Sequence, residues 1–226
     1  MYATEHIFAD RTVWQQQAAT VIADAIRDVL AKRGQCSIGL SGGSTPAPVF
    51  TALSGETIDW EQVTIFLADE RCVPPTDPQS NQRLVRTTLL DHLTRQPVAL
   101  FPDTTLAPDA CADAYDDCLR TLLGDRGADI LLLGLGPDGH TASLFPPVPS
   151  IDPRRFVIST HTDRFAIRDR ISITPRVLRF AHHSFFLLHG IDKLTVWRTM
   201  LRAPLHPERW PAQTALASGT AVLLSY

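Results

Sequence analysis

The sequence predicts an α/β fold: a parallel sheet with helices on both faces. Three observations carry that expectation. Apolar runs such as ADILLLGLG (128–136) and HSFFLLHG (183–190) show no alternation, as strands buried on both faces do. Stretches with helical spacing lie between such runs along the chain. The runs end in glycine or charge, so unusual residues gather at the strands' carboxyl ends, where such sheets bind ligands.

Residues 12–32 read as a helix, with Val13, Ala19, Ile22, Ala25, Ile26 and Leu30 at helical spacing and Gly34 as its stop. CSIGLSGG begins as a buried strand and ends in glycines. Pro46 fits the first turn of the following helix, with Ser44 or Thr45 as its cap. VTIFLADER (63–71) is the second strand, ending in charge, and CVPPTDPQS is a stiff turn. A helix from near Ser80 carries Leu84, Val85, Leu89 and Leu90, and another spans 109–123. Strands follow at 128–136, 155–161 and 183–190. RISITP (170–175) is either a strand or the lead into a helix at 176–180. Asp192 caps a helix through Leu201, and part of the tail WPAQTALASGTAVLLSY forms a closing strand.

A length of 226 residues fits one domain over 1–226, and 44% hydrophobic residues allow a sizeable core. A net charge of -3, from 21 basic and 24 acidic side chains, argues against a dedicated nucleic-acid binder. The four cysteines form no CxxC pair and no zinc spacing; Cys111 and Cys118, seven apart, read as core thiols on one helix face. MYATEHIFAD lacks the pattern of a signal peptide, and no apolar run nears the roughly 18 residues of a membrane span. A soluble cytoplasmic protein, with no membrane or nucleic-acid partner, is expected. The oligomeric state stays open.

Three segments carry candidate chemistry. In GLSGGSTP, Gly42 and Gly43 let backbone N–H groups turn toward an anion, and the hydroxyls of Ser44 and Thr45 add donors. The G-K-[ST] ending of a P-loop is missing. In ADER, either Asp69 or Glu70 orients a polar partner, and Arg71 offers a fork to phosphate; the plainer reading is a solvated strand end. GLGPDGHTASLFP matches G-x-G-x-x-G but fails its context. It begins late, at Gly134, and prolines follow where a dinucleotide site needs a helix. The glycines at 134 and 136 instead give a ligand room, and Gly139 turns His140 inward as a base. His161, with Asp163 and Arg164 after it, and His189, before GIDK, are weaker candidates. Arg168, Arg170 and Lys193 lie near strand ends and, with Arg71, suit a phosphate dianion. No G-x-S-x-G elbow supports a covalent serine.

Together, SGGSTP (41–46), DER (69–71), SN (80–81) and GPDGHTASLFP (136–146) resemble the 6-phosphogluconolactonase family in order and spacing. The related glucosamine-6-phosphate deaminases read differently after the histidine and at DER. The resemblance implies a modified Rossmann-like parallel sheet, no cofactor and no catalytic metal. It implies hydrolysis of 6-phospho-D-glucono-1,5-lactone to 6-phosphogluconate in the pentose phosphate pathway. His140 then becomes the base, with Asp69 or Asp138 holding its tautomer. Gly42, Gly43, Ser44 and Thr45 lie near the sugar phosphate, and Arg71, Arg170 and Lys193 are its cationic partners. GTAVLLSY departs from the family in lacking an acidic position near the last strand. The rivals are an aminosugar-phosphate isomerase/deaminase and a non-catalytic sugar-phosphate-binding protein.

Overall fold

The computed structural model describes residues 3–217 and 219–225. The strands are β1 (Thr4–Phe8), β2 (Cys36–Leu40), β3 (Val63–Leu67), β4 (Asp69–Arg71), β5 (Val98–Leu100), β6 (Ile130–Leu133), β7 (Val157–His161), β8 (Asp169–Ile173), β9 (His183–His189) and β10 (Thr220–Ser225). The helices are α1 (Arg11–Arg33), α2 (Ala47–Ser54), α3 (Asn81–Thr88), α4 (Pro108–Leu123), α5 (Pro175–Phe180) and α6 (Ile191–Arg202). Seven strands pair in the order β1-β10-β9-β6-β2-β3-β5, all parallel. A second, antiparallel sheet has the order β4-β8-β7.

The apolar strands serve two cores by alternation. Ile65, Leu67, Ile130, Leu132, Phe185 and Leu187 pack with α1 and α2. Phe66, Leu131, Leu133, Phe186 and Leu188 face the other way, toward α4, α6 and the small sheet. A run with no hydrophobic alternation is therefore a strand with two buried faces. Gly39 belongs to this packing, since a Cβ there would strike the side chains of Phe66 and Leu131.

Several expectations need correction. The strand expected over 63–71 is two strands in two sheets. Ala68 is the switch: its N–H donates to Leu40 in the large sheet, and its carbonyl accepts from Ile173 of the small one. The antiparallel sheet was not expected. RISITP is both alternatives at once, β8 and then α5, with Pro175 in the first turn. Edge strands β1 and β5 were missed because they are short and partly exposed; β1 has no apolar run, and the run at β5 is only a few residues long.

Helix ends also differ. Pro46 itself occupies the N-cap position of α2, and neither Ser44 nor Thr45 caps it. Gly190, at φ 97°, precedes α6, so Asp192 lies in its first turn and does not cap it. In α1 the buried stripe runs Trp14, Ala18, Ile22, Ile26 and Val29, leaving Val13 exposed. Cys111 is buried but Cys118 is exposed. At about 100° per residue, the stripe of α4 centres roughly 80° from Cys111, which marks one edge, and Cys118 falls about 20° beyond that same edge. The tail gives a short 3₁₀ segment, Pro211–Ala217, and the closing strand β10; its residues Ser218 and Tyr226 lie outside the described residues.

Candidate active site

The carboxyl ends of β2, β6 and β9 open into a cavity of about 340 Å³. Its floor is the large sheet, and β4 and β8 form a side wall. Gly42, Gly43, Ser44 and Thr45 line it, as do Asp69, Arg71, His140, Arg170 and Lys193. Residues spread over more than 150 positions of sequence thus meet because parallel strands end on one edge. Asp138 is absent from the lining and sits behind His140.

The loop after β6 builds the histidine's position. The Gly136 N–H donates to the His140 carbonyl at 2.8 Å, and the Gly139 N–H to the Gly136 carbonyl at 3.0 Å. Gly139 is at φ 87° and lies against Trp210, so a side chain there is excluded twice. Gly136 corrects an expectation: the space its missing Cβ leaves is filled by the His140 ring, not by a ligand. Gly134 has nothing within 4 Å of a Cβ position and lines the cavity. Beyond the histidine, Thr141 Oγ1 donates to Gly134, and Ser143 is held between Ser172 and Thr160 of the small sheet.

Of the two carboxylates proposed for the imidazole, Asp138 is the partner. Its Oδ1 lies 2.6 Å from His140 Nδ1 and also accepts the His140 N–H. An ionised Asp138 places the ring proton on Nδ1 and leaves the Nε2 lone pair free to take a proton. Asp69 accepts instead from Ser143 Oγ at 2.8 Å. Phe145 packs on the imidazole with ring centroids 4.7 Å apart, and Phe165 lies edge-on at 6.1 Å. Burial lowers the imidazole's pKa to about 4, opposed by Asp69 and aided by Lys193 and Arg170. The ring is therefore neutral across the physiological range.

The cations are held by uncharged acceptors, so their charge is available. Lys193 Nζ donates to the Leu135 carbonyl at 2.5 Å, and burial lowers its pKa, opposed by Asp192. Arg170 Nε donates to the Ile167 carbonyl, and its guanidinium lies 5.6 Å from the Phe165 ring centre. Burial, then Arg71, lowers its pKa. Arg71 donates to the Gln79 carbonyl. It pairs in register with Arg170 across β4 and β8. Two adjacent guanidiniums, each held by a carbonyl, suit a dianion.

Glu70 plays another part. It is 1% exposed and accepts from the N–H groups of Arg71, Asn81 and Gln82 and from Ser80 Oγ. Burial pushes its carboxyl up, and these donors pull it back. It anchors the start of α3. Arg168 stands away from the cavity, exposed and beside Asp163. Among the lining residues that the sequence did not point to is Ser41, a buried hydroxyl just after β2. Phe165 comes from a polar loop that gave no signal. His189, a weaker candidate from sequence, does line the cavity, with Nδ1 2.8 Å from Ser225 Oγ.

A buried histidine beside a cavity walled by cations on carbonyl partners, on a parallel α/β frame, is an arrangement suited to acid–base chemistry on a small anion. The chain belongs to the glucosamine-6-phosphate isomerase/6-phosphogluconolactonase family, whose model matches residues 9–224. It is 32% identical over 220 residues to the probable 6-phosphogluconolactonase of Dictyostelium discoideum, covering 94% of this chain and 93% of that one. It is 31% identical to the 6-phosphogluconolactonase of Synechocystis, covering 96% and 93%. Among solved structures, the Shewanella baltica 6-phosphogluconolactonase superposes with a TM-score of 0.88 at 29% identity, covering 99% of this chain and 97% of that one. The Thermotoga maritima 6-phosphogluconolactonase, at 24% identity, shares the fold with a TM-score of 0.89 over the whole of both chains.

Proposed function

We propose that this chain is a 6-phosphogluconolactonase, hydrolysing 6-phospho-D-glucono-1,5-lactone to 6-phospho-D-gluconate in the pentose phosphate pathway with His140 as the base. The observation that carries the residue assignment is the fixed imidazole. Its Nδ1 is tied to Asp138 and its ring is kept neutral by burial, on the wall of a cavity lined by Arg71, Arg170 and Lys193.

His140 Nε2 takes a proton from water, and the resulting hydroxide attacks C1 of the lactone. The cations of the cavity wall hold the phosphate and stabilise the tetrahedral oxyanion. When the oxyanion collapses, the bond between C1 and the ring oxygen breaks. The imidazolium returns its proton to that oxygen, which becomes the 5-hydroxyl, and the neutral base is restored. One positioned base supplies about 10²–10⁴-fold. Gly42, Gly43, Ser44 and Thr45 offer donors to the sugar phosphate beside the start of α2. A cytoplasmic site of action belongs to the same proposal, and the four free thiols fit a reducing compartment.

The test is a coupled assay with fresh lactone, corrected for spontaneous opening. His140→Ala loses at least about a hundredfold in kcat and keeps its unfolding midpoint. Full activity in folded His140→Ala would remove the base. Ammonia release from glucosamine 6-phosphate, or binding of 6-phosphogluconate with no lactone opening, would overturn the activity itself.

A further inference from the structure

The Asp138 carboxylate is shared between two groups. Oδ1 serves His140, while Oδ2 accepts from Arg164 Nη1. Arg164 lies in the loop joining β7 to β8 of the small antiparallel sheet, outside the cavity. Its second terminal nitrogen, Nη2, donates to the Pro146 carbonyl at 3.2 Å, at the far end of the turn that carries His140. The next residue, Phe165, packs against Phe145 and His140. From the other side, Arg209 donates to the Asp138 carbonyl and stacks on Trp210, which lies against Gly139.

Resting on the lactonase reading, we propose that Arg164 is a positioning residue for His140. It clamps Asp138 from behind, fixes the carboxylate's orientation toward Nδ1 and offsets its charge. Geometry requires such a partner. A lone carboxylate at the tip of a turn has free rotamers, and only some of them point an oxygen at Nδ1. A lone carboxylate beside an imidazole also favours the imidazolium, which cannot accept a proton from water. Arg164 counters both effects with one guanidinium. The small sheet thereby sets the base that the large sheet presents.

The charges facing the imidazole come from several elements: Asp138 on its own loop, Asp69 on β4, Arg170 on β8 and Lys193 on α6. Arg164 acts through the first of these. His206 and Glu208 border the outer side of Asp138 with Arg209. An exposed ion pair contributes little to stability, and the Arg164 side chain is 50% exposed, so its effect is expected in catalysis, not in unfolding.

Arg164→Gln and Arg164→Lys are compared with the parent for lactone hydrolysis across pH. The Gln variant loses about tenfold in kcat with KM within about threefold. The acid limb of its kcat profile moves to higher pH, because Asp138 now draws a proton onto His140. The Lys variant restores the acid limb, since charge alone sets it, and recovers only part of kcat, since one ammonium cannot span Asp138 and Pro146. Arg168→Ala, on the same loop and outside the cavity, leaves both unchanged. A Gln variant with parental kcat and an unmoved acid limb overturns the proposal, as does a Lys variant no better than Gln in either readout. A parent that opens no lactone refutes the lactonase reading instead, and is seen before any variant is read.

Discussion

The two sheets meet at one cavity but contribute different things. The central strands β2, β6 and β9 of the large sheet are buried on both faces and end in glycine loops, one of which carries the base. Strands of the small sheet place Val157, Ile171 and Ile173 in the core and otherwise carry mostly charged or polar residues. They supply Asp69, Arg71 and Arg170, and their loop brings Phe165 and Arg164 over the histidine. The difference separates a frame, held by apolar burial, from a recognition wall, whose charges are kept free by carbonyl partners.

The sharpest way to break that division is to damage the frame. Phe66 is fully buried between Gly39 of β2 and the α4 side of the core. Phe66→Ala costs about 3–5 kcal/mol of stability in denaturant unfolding, while the folded fraction keeps parental KM. Glu70 tests the claim from the opposite side, because it is a small-sheet residue with a structural role. Glu70→Gln turns an acceptor of four hydrogen bonds into a partial donor and costs about 1–3 kcal/mol. A neutral result would mean that the start of α3 is held by Ser80 alone.

The recognition wall gives smaller energies and a different readout. Arg170→Ala raises KM for the phosphorylated lactone about tenfold, near 1.4 kcal/mol, with kcat reduced far less. Discrimination against the unphosphorylated lactone should shrink by the same factor. Equal KM values for variant and parent would take Arg170 out of phosphate binding.

The smallest effect is in pH. With the His140 pKa lowered to about 4 by burial, kcat/KM stays flat from neutrality to about pH 5. It then falls about tenfold per unit well below pH 4. Stability follows the same sign. The unfolded chain takes up a proton near its ordinary value of about 6.5 and the folded chain resists until about 4, so stability falls as pH drops through that window. An acid limb near pH 6.5 would show a solvated histidine.

Much of the frame was legible in sequence because its signals are local. Continuous apolar runs mark β6 and β9, and helical spacing with Gly34 marks α1. The motif resemblance placed Gly42, Gly43, Arg71, His140 and Lys193 at one site, and the cavity gathers them. The small sheet was illegible because β4 reads as the charged tail of β3. Nothing local in VTIFLADER says that Ala68 changes sheets; its two hydrogen-bond partners are 28 and 105 residues away.

Sequence by itself determined the alternation of strand and helix, the buried centre of the large sheet and the histidine turn, since each depends on neighbouring residues. Only the tertiary structure decided between Asp69 and Asp138, gave Gly136 to the imidazole and put Arg164 behind the carboxylate. Those choices depend on distances between side chains far apart in the chain, which spacing cannot encode.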